Sequence, residues 1–273
     1  MRTAWRTLFR SVLRVFPGCL TQSQAIAFNM FLAFFPMLLL ALGVLTSAMR
    51  LRTSAHEMAA RLREILPPGS QQVVVDFLAR HGMHSWRWIA LGLGGTLLAG
   101  TQVMKLMMNG FGMAYGDPQR HGFWSRQVRA LLLLSATFVP WLAIVVFTVF
   151  GKQVRAWMIR HYGLPALFRG LWTVLLSSAT LVVAILVLAV VYRVGRPGAR
   201  DWREVLPGAV VATVLWLAAN SAFGAYVRHV PHTLVYGGVA AAIGLMLWMQ
   251  LTAMIVLLGA AFNAELAACD LAG

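Results

Sequence analysis

A long stretch without any charged residue, from Gly237 to Asn263, most constrains how this chain can fold. As an α-helix rising about 1.5 Å per residue, it is long enough to cross a bilayer core about 30 Å thick. Small residues crowd both of its ends. In lipid, such small faces let neighbouring helices approach closely. We therefore predict a central transmembrane helix against which the other helices pack.

Five further apolar stretches resemble the first. The predicted transmembrane spans cover 25–49, 86–108, 130–150, 170–192, 205–227 and 236–263. Of the 273 residues, 60% are hydrophobic and 11% are charged, whereas about 25% are charged in soluble domains. Because the apolar runs are continuous and do not alternate, a barrel is disfavoured. The sequence predicts an all-α polytopic bundle of six transmembrane helices that form one membrane domain over 1–273.

The segment before the first span predicts an amphipathic helix over 2–16, which Pro17-Gly18 should end. Its basic side carries Arg2, Arg6, Arg10 and Arg14, and apolar residues occupy the other face. Such a helix is suited to lie in the headgroup region and bind the membrane surface. The alternative is a short helix packed on the end of the bundle.

The long connection between the first two spans, over 51–85, predicts a helical extramembrane loop. Ser54 and Glu57 have the spacing of a capping box, in which each side chain satisfies a free backbone N–H of a helix start. Pro67-Pro68-Gly69 would end that first short helix.

The strongly basic composition points to anionic lipids as partners. The formal net charge is +15, and the basic residues are scattered over the arm and the predicted loops. Anionic headgroups explain this pattern better than nucleic acid, which we do not expect as a partner. Basic residues beside the first span favour a cytoplasmic N-terminus, and an even number of spans then places both termini in the cytoplasm. A partner protein of the envelope and the oligomeric state stay open.

Several short elements resemble the YihY/BrkB family of bacterial inner-membrane proteins, once mislabelled ribonuclease BN. In chain order they are Ala33–Leu38 (AFFPML), Ala114–Gly116 (AYG), Arg120, Phe123-Trp124, Trp202–Ala209 (WREVLPGA), Tyr226, Tyr236-Gly237, Leu247-Trp248 and Leu257–Ala260 (LLGA). The resemblance implies an envelope protein connected with envelope integrity, serum resistance and lipid movement. It carries no ribonuclease motif.

Two positions depart from the family pattern. The acidic residue that follows Gly-Ala in the last span is replaced by Ala261, and Glu265 lies one turn later on the same helix face. The family's asparagine before the Ala/Ile-Tyr-Gly element is replaced by Gly112, and Asn109 lies one turn earlier.

No motif predicts catalysis, a cofactor or a metal site. The seven histidines are spread over the predicted loops, and the sequence has no HExxH, GxSxG or GxxxxGK[ST] element. The glycines of Gly92–Gly95 lie inside the second span, where they indicate helix packing and not a nucleotide cradle. We therefore expect a protein that is not an enzyme.

Polar residues inside the spans are the better candidates for function, because burying them in hydrocarbon costs free energy unless they find partners. The residues are Asn29, Gln102, Lys105, Asn220, Gln250 and Glu265. The four amides could line a polar path through the bundle or simply bridge helices. Lys105 could extend to the headgroups, or pair with Glu265 and close the inner mouth.

Three classes of function follow from these residues. For lipid transport or lipid handling, the polar groups should converge on one groove. For a non-catalytic scaffold that supports the envelope or docks a partner, they should satisfy each other in pairs. For a membrane-bound hydrolase, acids and histidines from different loops should meet at one site. The basic surface and the resemblance favour lipid handling.

Overall fold

The protein is all-helical in the part of the chain that a computed structural model describes, residues 2–50, 85–116, 122–140, 166–195, 201–229 and 237–271. The six helices are α1 (Arg2–Arg50), α2 (Ser85–Tyr115), α3 (residues 123–140), α4 (Ala166–Gly195), α5 (Trp202–His229) and α6 (Gly237–Leu271). No strand occurs within these ranges. The predicted helical loop over 51–84 and its capping box lie outside them.

Five of the helices are long and apolar enough to cross a membrane. The candidate spans among the described residues are Gly18–Ala41, Trp86–Tyr115, Ser178–Gly195, Trp202–Tyr226 and Ala240–Cys269. They correspond to the predicted first, second, fourth, fifth and sixth spans. The predicted third span begins within α3, and its second half, 141–150, lies outside the described residues. The prediction of a polytopic helical membrane protein is confirmed.

The N-terminal arm continues into the first span without a break. The prediction that Pro17-Gly18 ends a separate helix is wrong, because α1 runs from Arg2 through both residues to Arg50. An interior proline removes one backbone hydrogen bond and costs about 3 kcal/mol. A continuous helix nevertheless satisfies the other backbone N–H and C=O groups of this region. This matters beside a membrane span, because lipid offers the backbone no hydrogen-bond partners. The structure describes the helix of the arm but not the side chains of its arginines, so the basic face stays a prediction.

Contacts divide the chain into two compact units. The smaller unit is Asn29–Gly100, and the larger unit comprises Met1–Phe28 and Thr101–Gly273. In the smaller unit, α1 and α2 touch at glycines. A Cβ on Gly92 would meet the Leu40 backbone nitrogen at 2.6 Å, and one on Gly95 would meet the Pro36 ring at 2.7 Å. The packing role predicted for the Gly92–Gly95 segment is confirmed, although Gly94 faces open space.

The buried core of the larger unit lies toward one end of its helices. Its largest fully buried apolar side chains are Ile26, Met108, Phe111, Leu133, Tyr192, Val205 and Leu257. They come from the middle of α1, the end of α2, the second half of α3, the end of α4, the start of α5 and the second half of α6. Close approaches join these segments: a Cβ on Gly110 of α2 would meet Leu257 of α6 and Gln22 of α1, and one on Gly195 of α4 would meet Phe111 of α2 and Leu133 of α3. We call this side of the larger unit the arm end. Toward the opposite side, large apolar residues such as Val182, Val214 and Ile243 are exposed.

Candidate headgroup site and polar contacts of the bundle

A buried asparagine joins α5 to α6 at the arm end. Pro207 has no backbone N–H and therefore interrupts the hydrogen-bond ladder of α5. The next residue, Gly208, donates its N–H to Oδ1 of Asn263 at 2.7 Å, and Nδ2 of Asn263 donates to the Val205 carbonyl oxygen at 3.1 Å. Asn263 is only 1% exposed. Both ends of its carboxamide are thus satisfied by the backbone of the neighbouring helix.

Two glycines make this close approach possible. A Cβ on Gly208 would collide with the Gly259 carbonyl oxygen and would lie 2.5 Å from the Asn263 carboxamide. A Cβ on Gly259 would collide with the Tyr192 hydroxyl and lie 2.8 Å from the Ala212 side chain. We call Gly208, Gly259 and Asn263 the α5–α6 seam. Two sequence elements used for the family resemblance, WREVLPGA and LLGA, contribute its glycines.

The end of α4 is tied to the same region. The Tyr192 hydroxyl donates to the Val256 carbonyl oxygen at 2.9 Å, and its ring packs edge to face with Phe111, with centroids 5.6 Å apart. Neither Tyr192 nor Asn263 is among the functional residues predicted from the sequence. The spacing of Asn263, one turn after Gly259, places both on one face of α6 and could have indicated a polar side chain beside a small-residue contact.

The predicted polar residues fall in different surroundings. Oδ1 of Asn220 accepts a hydrogen bond from the Trp248 indole N–H at 2.9 Å, which bridges α5 and α6. Gln250 is partly buried and Gln102 is exposed. Asn29 is partly buried and belongs to the smaller unit. The other five polar residues predicted from the sequence belong to the larger unit; they are Gln102, Lys105, Asn220, Gln250 and Glu265. The polar path through all four amides stays a prediction.

Lys105 lies beside an aromatic ring at the arm end. Its Nζ is 5.9 Å from the centroid of Phe123, at the start of α3. Phe123 and Trp124 are 72% and 78% exposed and pack edge to face, with centroids 5.9 Å apart. Exposed aromatic rings at a helix end are typical of the membrane interface. The extension of Lys105 toward the headgroups and its ion pair with Glu265 both stay predictions.

Two further cations at the arm end contact aromatic or polar groups. The guanidinium of Arg193 lies 4.5 Å from the ring centroid of Trp202, which links the end of α4 to the start of α5. Nη2 of Arg126 donates to Oδ1 of Asn109 at 2.7 Å, which links α3 to α2. The arm end therefore combines cationic side chains with aromatic rings, the pair of properties that suits anionic headgroups.

No group of three or more histidine, cysteine, aspartate or glutamate side chains that could hold a metal comes together within the described ranges. Cys19 is buried and Cys269 is exposed, and both are free thiols. The described arrangement thus consists of helix-bridging polar contacts and a basic, aromatic helix end.

Comparison with known proteins gives consistent matches over nearly the whole chain. The family model described as virulence factor BrkB matches residues 17–272. The ribonuclease-like protein YfkH of Bacillus subtilis (strain 168) is 23% identical over 249 residues, which cover 90% of this chain and 89% of that protein. A UPF0761 membrane protein of Alkalilimnicola ehrlichii is 26% identical over 265 residues.

The second of these relatives is much longer than the matched region. The match covers 93% of this chain but 56% of the Alkalilimnicola protein, so the chain spans little more than half of that relative. A UPF0761 membrane protein of Janthinobacterium gives the same picture, with 24% identity over 89% of this chain and 55% of the relative. No solved structure matches the chain.

Proposed function

We propose that this multi-pass membrane protein, which belongs to the virulence factor BrkB family, handles anionic lipids at the arm end of its helical bundle. The observation that carries the proposal is the group of cations at that end, Lys105, Arg126 and Arg193, each in contact with an aromatic ring or an amide. Near an anionic leaflet, each such cation contributes about 1 kcal/mol of attraction.

The protein lies in the bacterial inner membrane with both termini in the cytoplasm. Because the arm continues the first span without a break, the arm's arginines nearest the span are the ones that meet the headgroups of the cytoplasmic leaflet. Lipids then meet a basic, aromatic surface before they meet the apolar sides of the helices.

The proposed function is not enzymatic. A hydrolase would need an acid or base next to a nucleophile or a metal-bound water. The contacts at the arm end instead pair cations with rings and amides, which bind and orient an anion and do not activate a nucleophile. The ribonuclease-like name of the Bacillus relative therefore has no counterpart in this proposal.

A non-catalytic scaffold is the second candidate, and one observation favours it. Asn220 with Trp248, and Asn263 with the α5 backbone, satisfy their polar groups in pairs between helices. Such contacts fix a bundle without opening a groove. A scaffold that supports the envelope or docks a partner protein would need no more than this.

Deletion of the gene in its native bacterium distinguishes the two candidates. Lipid handling predicts a changed distribution of phospholipid and lipopolysaccharide between the envelope membranes, restored by the wild-type gene. A scaffold predicts changed permeability with an unchanged lipid distribution. Unchanged lipids together with normal permeability would contradict both.

A further inference from the structure

We infer that Lys105 and Arg126 form a binding site for the phosphate group of an anionic phospholipid, between the end of α2 and the start of α3. The inference rests on the proposed function and deepens it, because it names the chemical group that the arm end recognises. Three observations on α2 and α3 support it: the hydrogen bond from Arg126 to Asn109, the burial of Nε of Arg126, and the exposed rings of Phe123 and Trp124.

Two contacts join the end of α2 to the start of α3, and each of them involves a cation. Lys105 and Asn109 lie one turn apart on α2, and Phe123 and Arg126 lie one turn apart on α3. The Lys105 ammonium reaches Phe123, and the Arg126 guanidinium reaches Asn109. Both contacts join the same turn of α2 to the same turn of α3, so the two cations lie on facing turns of this helix pair.

Arg126 keeps hydrogen-bonding capacity and charge that its described partner does not use. That partner, Asn109, is a neutral amide and cannot compensate a positive charge. Nε of Arg126 is buried and has no hydrogen-bond partner among the described residues. An unsatisfied buried donor costs about 1–3 kcal/mol, and more when it is charged. A phosphate group supplies the negative charge that Asn109 lacks, and it can accept hydrogen bonds from the outer guanidinium nitrogens; the buried Nε becomes available to it only when the guanidinium turns outward.

The surroundings favour a lipid phosphate over a free one. Phe123, which lies beside Lys105, and its neighbour Trp124 present exposed rings at a helix end, as is typical of the depth where acyl chains and glycerol meet the headgroups. On α2, Gln102 lies one turn further into the span Trp86–Tyr115 on the same face as Lys105, and it is exposed. Its amide can donate to the ester carbonyl of a lipid whose phosphate is bound by the cations. A free phosphate ion would use the cations alone.

The experiment measures lipid binding by native mass spectrometry of the purified full-length protein in detergent. Phosphatidylglycerol and phosphatidylcholine are titrated against wild type, Lys105→Ala, Arg126→Ala and the double variant. We expect the double variant to bind phosphatidylglycerol roughly tenfold more weakly, since it loses two charge-assisted contacts. Lys105→Arg, which keeps the charge, should retain most of the binding. Lys105→Gln carries the test alone if the Arg126 variants do not fold.

The matched control is Arg87→Ala. Arg87 also lies over an exposed aromatic ring, 5.7 Å from the centroid of Trp86, but belongs to the smaller unit. This variant removes the same charge and should bind phosphatidylglycerol like wild type. An equal loss in this control would overturn the site, because it would show that only net charge matters.

Three outcomes separate the site from the proposed function. If wild type prefers phosphatidylglycerol but the Lys105 and Arg126 variants do too, the site is wrong and the function stands. If wild type shows no preference for the anionic lipid, both fail. Inorganic phosphate and glycerophosphate at millimolar concentration should not compete. Displacement of the lipid by either would assign the site to a free anion and overturn the lipid assignment.

Discussion

Replacing Gly208 by alanine tests the closest approach of two helices at a glycine among the described residues. The added Cβ would collide with the Gly259 carbonyl oxygen, a backbone atom that cannot rotate away, and would lie 2.5 Å from the Asn263 carboxamide. The variant must therefore separate α5 from α6 or push Asn263 out of its place. Either movement lengthens the two hydrogen bonds that Asn263 makes with the α5 backbone.

The magnitude follows from three effects. Overpacking a well-filled interior costs about 1–3 kcal/mol. Each interhelical hydrogen bond lost inside a membrane protein adds about 0.6 to 2 kcal/mol. Alanine in place of glycine returns about 1 kcal/mol through its higher helix propensity. We expect Gly208→Ala to lower the free energy of unfolding by about 3 kcal/mol.

Gly94→Ala is the matched control, because a Cβ at that position has nothing within 4 Å. The same substitution in the same kind of helix should leave stability unchanged or raise it by about 1 kcal/mol. Both variants are unfolded with sodium dodecyl sulfate in mixed micelles, and helicity is followed by circular dichroism. A Gly208→Ala variant as stable as wild type, or equal losses in both variants, would refute the close α5–α6 contact.

Four further substitutions test three other contacts by the same assay. Tyr192→Phe should lower the free energy of unfolding by about 1 kcal/mol, because it removes the hydroxyl that donates to the backbone of α6; no change would mean that this bond is not formed. In a double-mutant cycle, Asn220→Leu and Trp248→Phe should show a coupling energy of about 0.6 kcal/mol, since they share one interhelical hydrogen bond; additive losses would exclude it. Gly92→Ala should destabilise the smaller unit by about 1–3 kcal/mol, because the Cβ meets the backbone of Leu40; a neutral result would contradict that packing.

The spans were predictable because a bilayer imposes one strong requirement on the sequence. A chain that crosses hydrocarbon must bond its own backbone, so long uncharged stretches predict helices directly. The packing role of Gly92 and Gly95, which lie within the second span, was predictable because small residues let helices approach closely in lipid. Local chemistry was a poorer guide at Pro17-Gly18. There the dipeptide predicts a break, but continuity with the first span keeps α1 helical.

The contacts of the candidate site were harder to predict, because they depend on which helix faces which. Asn263 lies at the end of an uncharged stretch and gives no sign of its bonds to the backbone beside Pro207. Arg126 looks like an ordinary basic residue of a loop until its bond to Asn109 is known. Lys105 was selected because a charge inside a span is rare. The helix that supplies its neighbour Phe123 could not be derived from one sequence.

The most direct test of lipid handling uses the purified protein in vesicles that contain fluorescent phosphatidylglycerol. Dithionite added outside destroys the label in the outer leaflet only, so the rate of further loss reports movement of lipid between leaflets. We predict faster loss than in protein-free vesicles, and slower loss with the Lys105→Ala, Arg126→Ala double variant than with wild type. Wild-type vesicles that exchange lipid no faster than protein-free ones would contradict the account.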